Sequence, residues 1–260
     1  MKNLGKSIAA FALAMLFAGA ALAQGVVQSM RGDVRAGPAG QPGAAITVNQ
    51  RLAVGAAVTT GPDAQAILRF DDGQQVVLHQ NTEFRIVDFR YEASDPKADR
   101  TVFELIKGAL RMASGAIIGR NRQAVALRTP QATIGIRGTD FMVALVNPAY
   151  VSVLEGAVSV TNAAGTVGFG AGSIGSVASS AVLATAIPAS ALPAAASAAF
   201  SSMSAAAGVA AAGGAAEGAA GTAGAAGGAT AGTAAAVGAA AAAAAGAAAA
   251  SRSTSTTTHH

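Results

Sequence analysis

The chain has 260 residues, no cysteine, and 17 basic against 13 acidic side chains. Without cysteine there is neither a disulfide framework nor a thiolate metal site, so any fold must hold by burial alone. The basic excess is weak and its arginines are scattered rather than clustered, which points away from nucleic acid.

Lys2 and Lys6 form a short positive region, Ile8 to Leu22 is apolar and uncharged, and Ala21-Leu22-Ala23 offers the small residues that a signal peptidase needs. That three-part order predicts a secretory signal peptide over residues 1–23, with Gln24 opening the mature chain. The apolar run falls short of the roughly 20 residues of a bilayer span; the alternative is an uncleaved N-terminal anchor. No cysteine follows the run, so a lipoprotein anchor is not expected. The expected location is the periplasm or the extracellular side of the cell surface.

Charge divides the mature chain. Charged residues occur steadily from Arg31 to Glu155, and after Glu155 only Glu217 and Arg252 remain. The segment able to build a core runs from about Val26 to Val177, long enough for one domain. The expected organisation is a β-rich domain over 24–178 and an Ala/Gly-rich low-complexity tail over 179–260. Alanine and glycine do not drive membrane insertion, so no transmembrane span is expected in the mature chain. The tail reads as linker or spacer, with self-association or envelope contact as the other reading.

Short strands account for the first part. Ala66-Ile67-Leu68-Arg69-Phe70 and Val76-Val77-Leu78 flank Asp71-Asp72-Gly73, a hairpin signal in which glycine supplies positive φ, and both aspartates read as a solvated turn. Residues 101–113 have some helix propensity, but Phe103, Leu105, Leu110 and Met112 favour the period of a strand. Phe103 to Met112 also parallels Val151 to Val160, each stretch being a strand, a Gly-Ala break and a second strand. Gly108 and Gly156 then mark tight bends. Stacked β units are one reading of this parallel; two coincidental hairpin-like stretches are the other.

The most specific stretch runs from Arg128 to Phe141. Thr129-Pro130 predicts an extended entry, and Gly135 and Gly138 predict bulges or close backbone approach. Arg137 and Asp140 are expected to pair across the turn, because charges within an apolar run are costly unless matched; partner recognition is the competing role for them. Thr129, Pro130, Gly135, Arg137, Gly138, Thr139, Asp140 and Phe141 together resemble the Thr-Pro…Gly-Ile-Arg-Gly-Thr-Asp-Phe motif of the FecR domain family. Leu52 to Gly61, Ala66 to Gly73, and Glu155 to Val160 with Ala171-Gly172 fit the family's other strands in order, so the resemblance spans about Gly32 to Val177. It implies an all-β fold of stacked short strands in facing sheets, roll- or solenoid-like. The best-known members receive a signal from an outer-membrane siderophore receptor and pass it through a membrane helix to a cytoplasmic anti-sigma segment. Here the apolar run sits at the start of the sequence, so the anti-sigma role is not expected to carry over.

Little active-site chemistry is visible. His79 is the sole histidine before the C-terminal pair His259-His260, and it reads as a surface residue of a polar turn. No metal site or cofactor is expected. No nucleophile elbow or phosphate-cradling glycine loop occurs. The function expected is therefore a non-catalytic binding or signalling module that recognises a protein or glycan of the envelope. The alternative is a structural or surface protein that uses its tail for assembly or spacing.

Overall fold

In a computed structural model the described residues are 25–92 and 94–217, with side chains described as far as residue 206. The signal peptide expected over 1–23 and the tail beyond Glu217 lie outside them. The strands are β1 (Gly25–Arg31), β2 (Val34–Pro38), β3 (Ala44–Ala45), β4 (Arg51–Leu52), β5 (Ala56–Thr60), β6 (Gln65–Phe70), β7 (Gln75–Leu78), β8 (Glu83–Arg90) and β9 (Arg100–Ala113). After a one-turn helix, α1 (Ile117–Arg120), come β10 (Val125–Arg128), β11 (Thr133–Ile136), β12 (Asp140–Leu145), β13 (Ala149–Glu155), β14 (Ala157–Asn162), β15 (Gly165–Gly170), β16 (Ile174–Val177) and β17 (Thr185–Ile187), then helix α2 (Ala194–Glu217).

The strands form two facing layers. One runs β4-β1-β6-β7-β9-β12-β13-β16-β17, all antiparallel. The other runs β3-β2-β5-β8-β9-β10-β11-β14-β15, antiparallel except where β9 meets β10. Strand β9 belongs to both: Arg100 to Lys107 pairs in the second layer and Gly108 to Ala113 in the first. The all-β architecture of facing sheets expected from the sequence is thus present. Between the layers the inward side chains make one continuous core. Leu68, Phe70, Val76, Leu110, Met112 and Phe141 come from the first layer, and Val58, Phe84, Ile86, Phe103, Leu127 and Ile134 from the second. Phe70 stacks on Phe89 and Phe103, with ring centroids 5.2 and 4.7 Å apart. In a domain with no disulfide this buried apolar area is the main favourable term.

The chain crosses repeatedly from one layer to the other, and two crossings share a device. At Gly108, φ is +87° and an added Cβ would sit 2.4 Å from the Thr82 hydroxyl. That hydroxyl accepts the Ala109 N–H at 3.1 Å and lies 3.1 Å from the Ala109 carbonyl. At Gly156, φ is +73° and a Cβ would meet the Gly138 carbonyl; the Thr139 hydroxyl donates to the Ala157 carbonyl at 2.8 Å. The parallel between the two Gly-Ala stretches is therefore structural. Each is a corner pinned by a buried threonine, and neither is a hairpin, since the strands on either side of the glycine lie in different layers.

The Asp71–Gly73 hairpin joins β6 and β7 as expected, but the turn differs. Gly73 N–H donates to the Phe70 carbonyl, and only Gly73 has positive φ. This is the three-residue loop with a glycine bulge rather than a two-residue primed turn. Asp72 is not solvated: it is 6% exposed, because the Gly115 loop lies against its carboxylate and Ala116 N–H donates to its backbone carbonyl.

The chain does not leave the domain at residue 178. Strand β17 pairs with β16, and α2 lies across the outer face of the first layer. Ala196, Ala199, Phe200 and Met203 cover Ile67, Val77, Ala109, Met142, Ala144 and Tyr150. The first part of the segment read as spacer is thus a strap over a second, smaller core. His79, read as a surface residue, is half-buried beside this strap, with Nδ1 3.0 Å from the Ser202 hydroxyl; burial lowers its pKa. Among the described residues no helix is long and apolar enough to cross a membrane.

Placing a charge under the strap should unseat it. Met203→Asp is expected to cost about 3 kcal/mol in urea unfolding, since an unpaired carboxylate would replace a fully buried apolar side chain. Increased binding of a hydrophobic dye should accompany it; an unchanged midpoint would show that α2 does not stabilise the domain.

Candidate functional site

The motif from Thr129 to Phe141 begins in a hairpin and ends in a corner. Strands β10 and β11 are joined by a turn that Thr129 closes: its N–H and its hydroxyl both donate to the Ala132 carbonyl, at 2.9 and 2.8 Å, and Pro130 stands exposed at the tip. Gly135 lies in β11 opposite Ser159 of β14, where a Cβ would come 2.7 Å from the serine hydroxyl. This is a close approach between strands. Gly138 adopts φ +69° and opens the corner into β12.

Thr139 then ties the corner down. Besides the bond to Ala157, its hydroxyl accepts the Arg137 N–H at 3.3 Å. Its N–H donates to the Ser114 hydroxyl at 2.8 Å, and its carbonyl accepts that hydroxyl's proton at 2.7 Å. Phe141 is fully buried in the main core.

The expected Arg137–Asp140 pair does not form. Asp140 instead accepts two hydrogen bonds from Arg111 of β9, one from Nε at 2.9 Å and one from Nη2 at 2.5 Å. The register explains the exchange. Asp140 stands opposite Ala113, so Arg111 is its diagonal neighbour on the same face, while the Gly138 corner turns Arg137 away from that face. Both side chains are less than one-fifth exposed, and the hydrogen bonds that Asp140 accepts hold the Arg111 guanidinium above its ordinary pKa against the opposing effect of burial.

Arg137 is exposed, and it lines a cavity of about 480 Å³ together with Ile118, Gly119, Arg122, Gln123 and Gly138. Helix α1 forms the other wall. Ile117 and Ile118 anchor it on the core, and Arg120 is held by Asp99 at 3.4 Å, by the Glu92 carbonyl and by the face of Tyr91. The next loop is fixed by Asn121, whose N–H donates to Ile117 and whose side chain accepts the Gln123 N–H. This brings Arg122 to the cavity. Sequence reasoning missed Arg122; its signal was the polar Gly119-Arg120-Asn121-Arg122 turn after two isoleucines.

Two guanidiniums and an amide over an apolar floor can hold an anion. The cavity walls carry no nucleophile, general base or acid. The Ser202–His79 contact lies elsewhere, and the Ser202 hydroxyl there bonds to the Ala199 carbonyl. Among the described residues no group of three or more histidines, aspartates or glutamates could hold a metal ion.

A family match agrees with the motif. Residues 56–159, from the start of β5 into β14, match the FecR protein family. Two crystal structures of a "putative anti-sigma factor" from Parabacteroides distasonis are similar at 17% and 18% identity, each with a TM-score of 0.40. The similarity covers 50% of this chain and 58% of theirs, so the chain spans less than two-thirds of the length of those proteins. No curated protein matches it.

The two charged motif residues should separate by measurement. Asp140→Asn is expected to lose about 1–2 kcal/mol of stability by stranding Arg111, whereas Arg137→Gln should change it by less than about 0.5 kcal/mol. Equal losses would contradict these assignments.

Desolvation raises the Asp72 pKa above its ordinary 3.8, outweighing the hydrogen bond from the Gln74 N–H. A raised carboxyl favours the fold while protonated, so its contribution is full below the unfolded pKa and is lost as pH rises through the folded one. Asp72→Asn should therefore compare best with the parent protein at neutral pH and lose that advantage towards pH 3.8; a stability difference flat across this range would sink the assignment.

Proposed function

We propose that this FecR-domain chain is an exported, non-catalytic binding or signalling module of the periplasm or cell envelope. It recognises a protein or glycan ligand at the corner bearing Arg137. One observation carries the reading. Of the motif's side chains, Thr129 and Thr139 close turns and corners, Asp140 holds Arg111 and Phe141 fills the core, whereas Arg137 is exposed and lines an open cavity. A specific motif whose long cationic side chain is exposed at a cavity mouth suits recognition. The leader Lys2 to Ala23 supports export, and a core without cysteine needs no oxidative folding.

The docked strap favours a second reading, in which the tail spaces or assembles a surface protein. Helix α2 gives such a tail a fixed root on the sheet. Deleting residues 218–260 would then alter surface display or oligomer size, while the first reading expects neither to change.

In the native cell the intact mass of the protein is expected to correspond to a chain beginning at Gln24, recovered from the envelope or medium. A photo-crosslinking amino acid in place of Gln123 should trap a discrete partner, whereas one in place of exposed Thr166 should not. An uncleaved protein in the cytosol, or equal trapping at both positions, would overturn this reading.

A further inference from the structure

We propose that the cavity between α1 and the Arg137–Gly138 corner takes the carboxylate head of a compact organic ligand. The head is held between Arg122 and Arg137. This names the ligand chemistry of the site just described and rests on the reading that the corner faces a ligand. Elsewhere in the domain Arg35, Arg85, Arg100, Arg111 and Arg120 sit in ion pairs, while Arg31, Arg51, Arg69, Arg90 and Arg128 do not among the described residues, so the lack of a partner alone marks no site. What sets Arg122 and Arg137 apart is that they line one cavity, none of whose lining residues is acidic. Two like charges facing one space repel each other until an anion enters, and a guanidinium offers paired N–H donors matched to carboxylate or phosphate oxygens.

Both arginines stand on fixed backbone. Arg137 N–H is bonded to the Ala157 carbonyl at 3.1 Å and to Thr139, and Arg122 follows Asn121, which closes its own turn. Side chains that start from ordered backbone lose less entropy on binding.

The remaining walls fit a ligand with a carbon body. A volume near 480 Å³ exceeds a bare inorganic anion and falls within the range of small-molecule sites. Ile118 supplies apolar contact and Gln123 an amide. Gly119 and Gly138 leave the space open, for a Cβ at either would meet no atom within 4 Å.

The test uses the mature protein, labelled with nitrogen-15, and follows backbone amide shifts at low ionic strength. The probes are inorganic phosphate, glucuronate, and alanyl-alanine with a free or an amidated C-terminus. Saturable shifts at Gly119 and Gly138 are expected with glucuronate or the free dipeptide, stronger than with phosphate, absent with the amide and reduced by added salt. The tighter of the two carboxylates identifies a sugar acid or a peptide end as the source. Arg122→Gln and Arg137→Gln should each weaken binding ~10-fold or more. Gly119→Leu should abolish it by filling the cavity while leaving the melting temperature unlowered. The inference falls if no probe gives saturable shifts, if phosphate binds as well as the organic anions, or if the arginine variants bind like the parent. Trapping of a partner at Gln123 would survive each of those results, so loss of the carboxylate assignment can be told from loss of the binding role itself.

Discussion

Two buried hydroxyls set the geometry on which the rest depends. A strand that leaves one layer and enters the other must turn sharply, and the turn strips backbone groups of their ladder partners. Thr82 and Thr139 supply replacements, one to Ala109 and the other to Ala157 and Arg137. The glycine preceding each alanine admits the threonine corner at a distance no Cβ would allow. The requirements are coupled: the hydroxyl can reach the backbone only if the glycine lets it approach, and the buried peptide groups are satisfied only if the hydroxyl arrives. With both corners closed, β9 and the β13–β14 segment carry the ladder from layer to layer, and Phe84, Phe103 and Phe141 can meet in one core.

The FecR-type motif divides into two kinds of residue. Thr129, Gly135, Thr139, Asp140 and Phe141 answer to packing and hydrogen bonding within the domain. Arg137 does not, and the corner that the others build determines where it points. Its neighbour across the cavity, Arg122, comes from a loop held by Asn121 and by two isoleucines anchored in the core. The exposed chemistry is thus a by-product of internal demands, which explains how a pair of arginines 15 positions apart in sequence arrives at one opening.

Much of the fold was legible in the residues. Alternation in β6, β7 and β9 and the glycines at 73, 108 and 156 announce strands, a hairpin and two corners, because period and positive φ are local properties. What stayed hidden depends on residues distant in sequence. Arg137 and Asp140 look like partners three positions apart, but the corner separates them and Arg111, 29 positions away, takes the aspartate. Asp72 reads as solvated turn chemistry because the loop that buries it is formed around Gly115. Helix α2 hides most completely. Its alanines carry no marked apolar period, and Ile67, Val77 and Met142 on the sheet look like ordinary outward positions until Phe200 and Met203 cover them. Arg122 lay in a polar turn whose position relative to Arg137 no local pattern records.

The strap also decides how the domain answers a pull. Tension transmitted along the chain towards the C-terminus would reach α2 first, which is held by a few alanines, one phenylalanine, one methionine and the hydroxyls of Ser202 and Ser204, and next the three-residue edge strand β17. Both can peel away sequentially, one contact at a time, before load falls on the long ladders of β9, β12 and β13. The molecule thus has an outer element that yields under force ahead of the sandwich, and its detachment would bare the apolar patch of Ile67, Val77, Met142 and Tyr150 while the corner bearing Arg137 kept its shape.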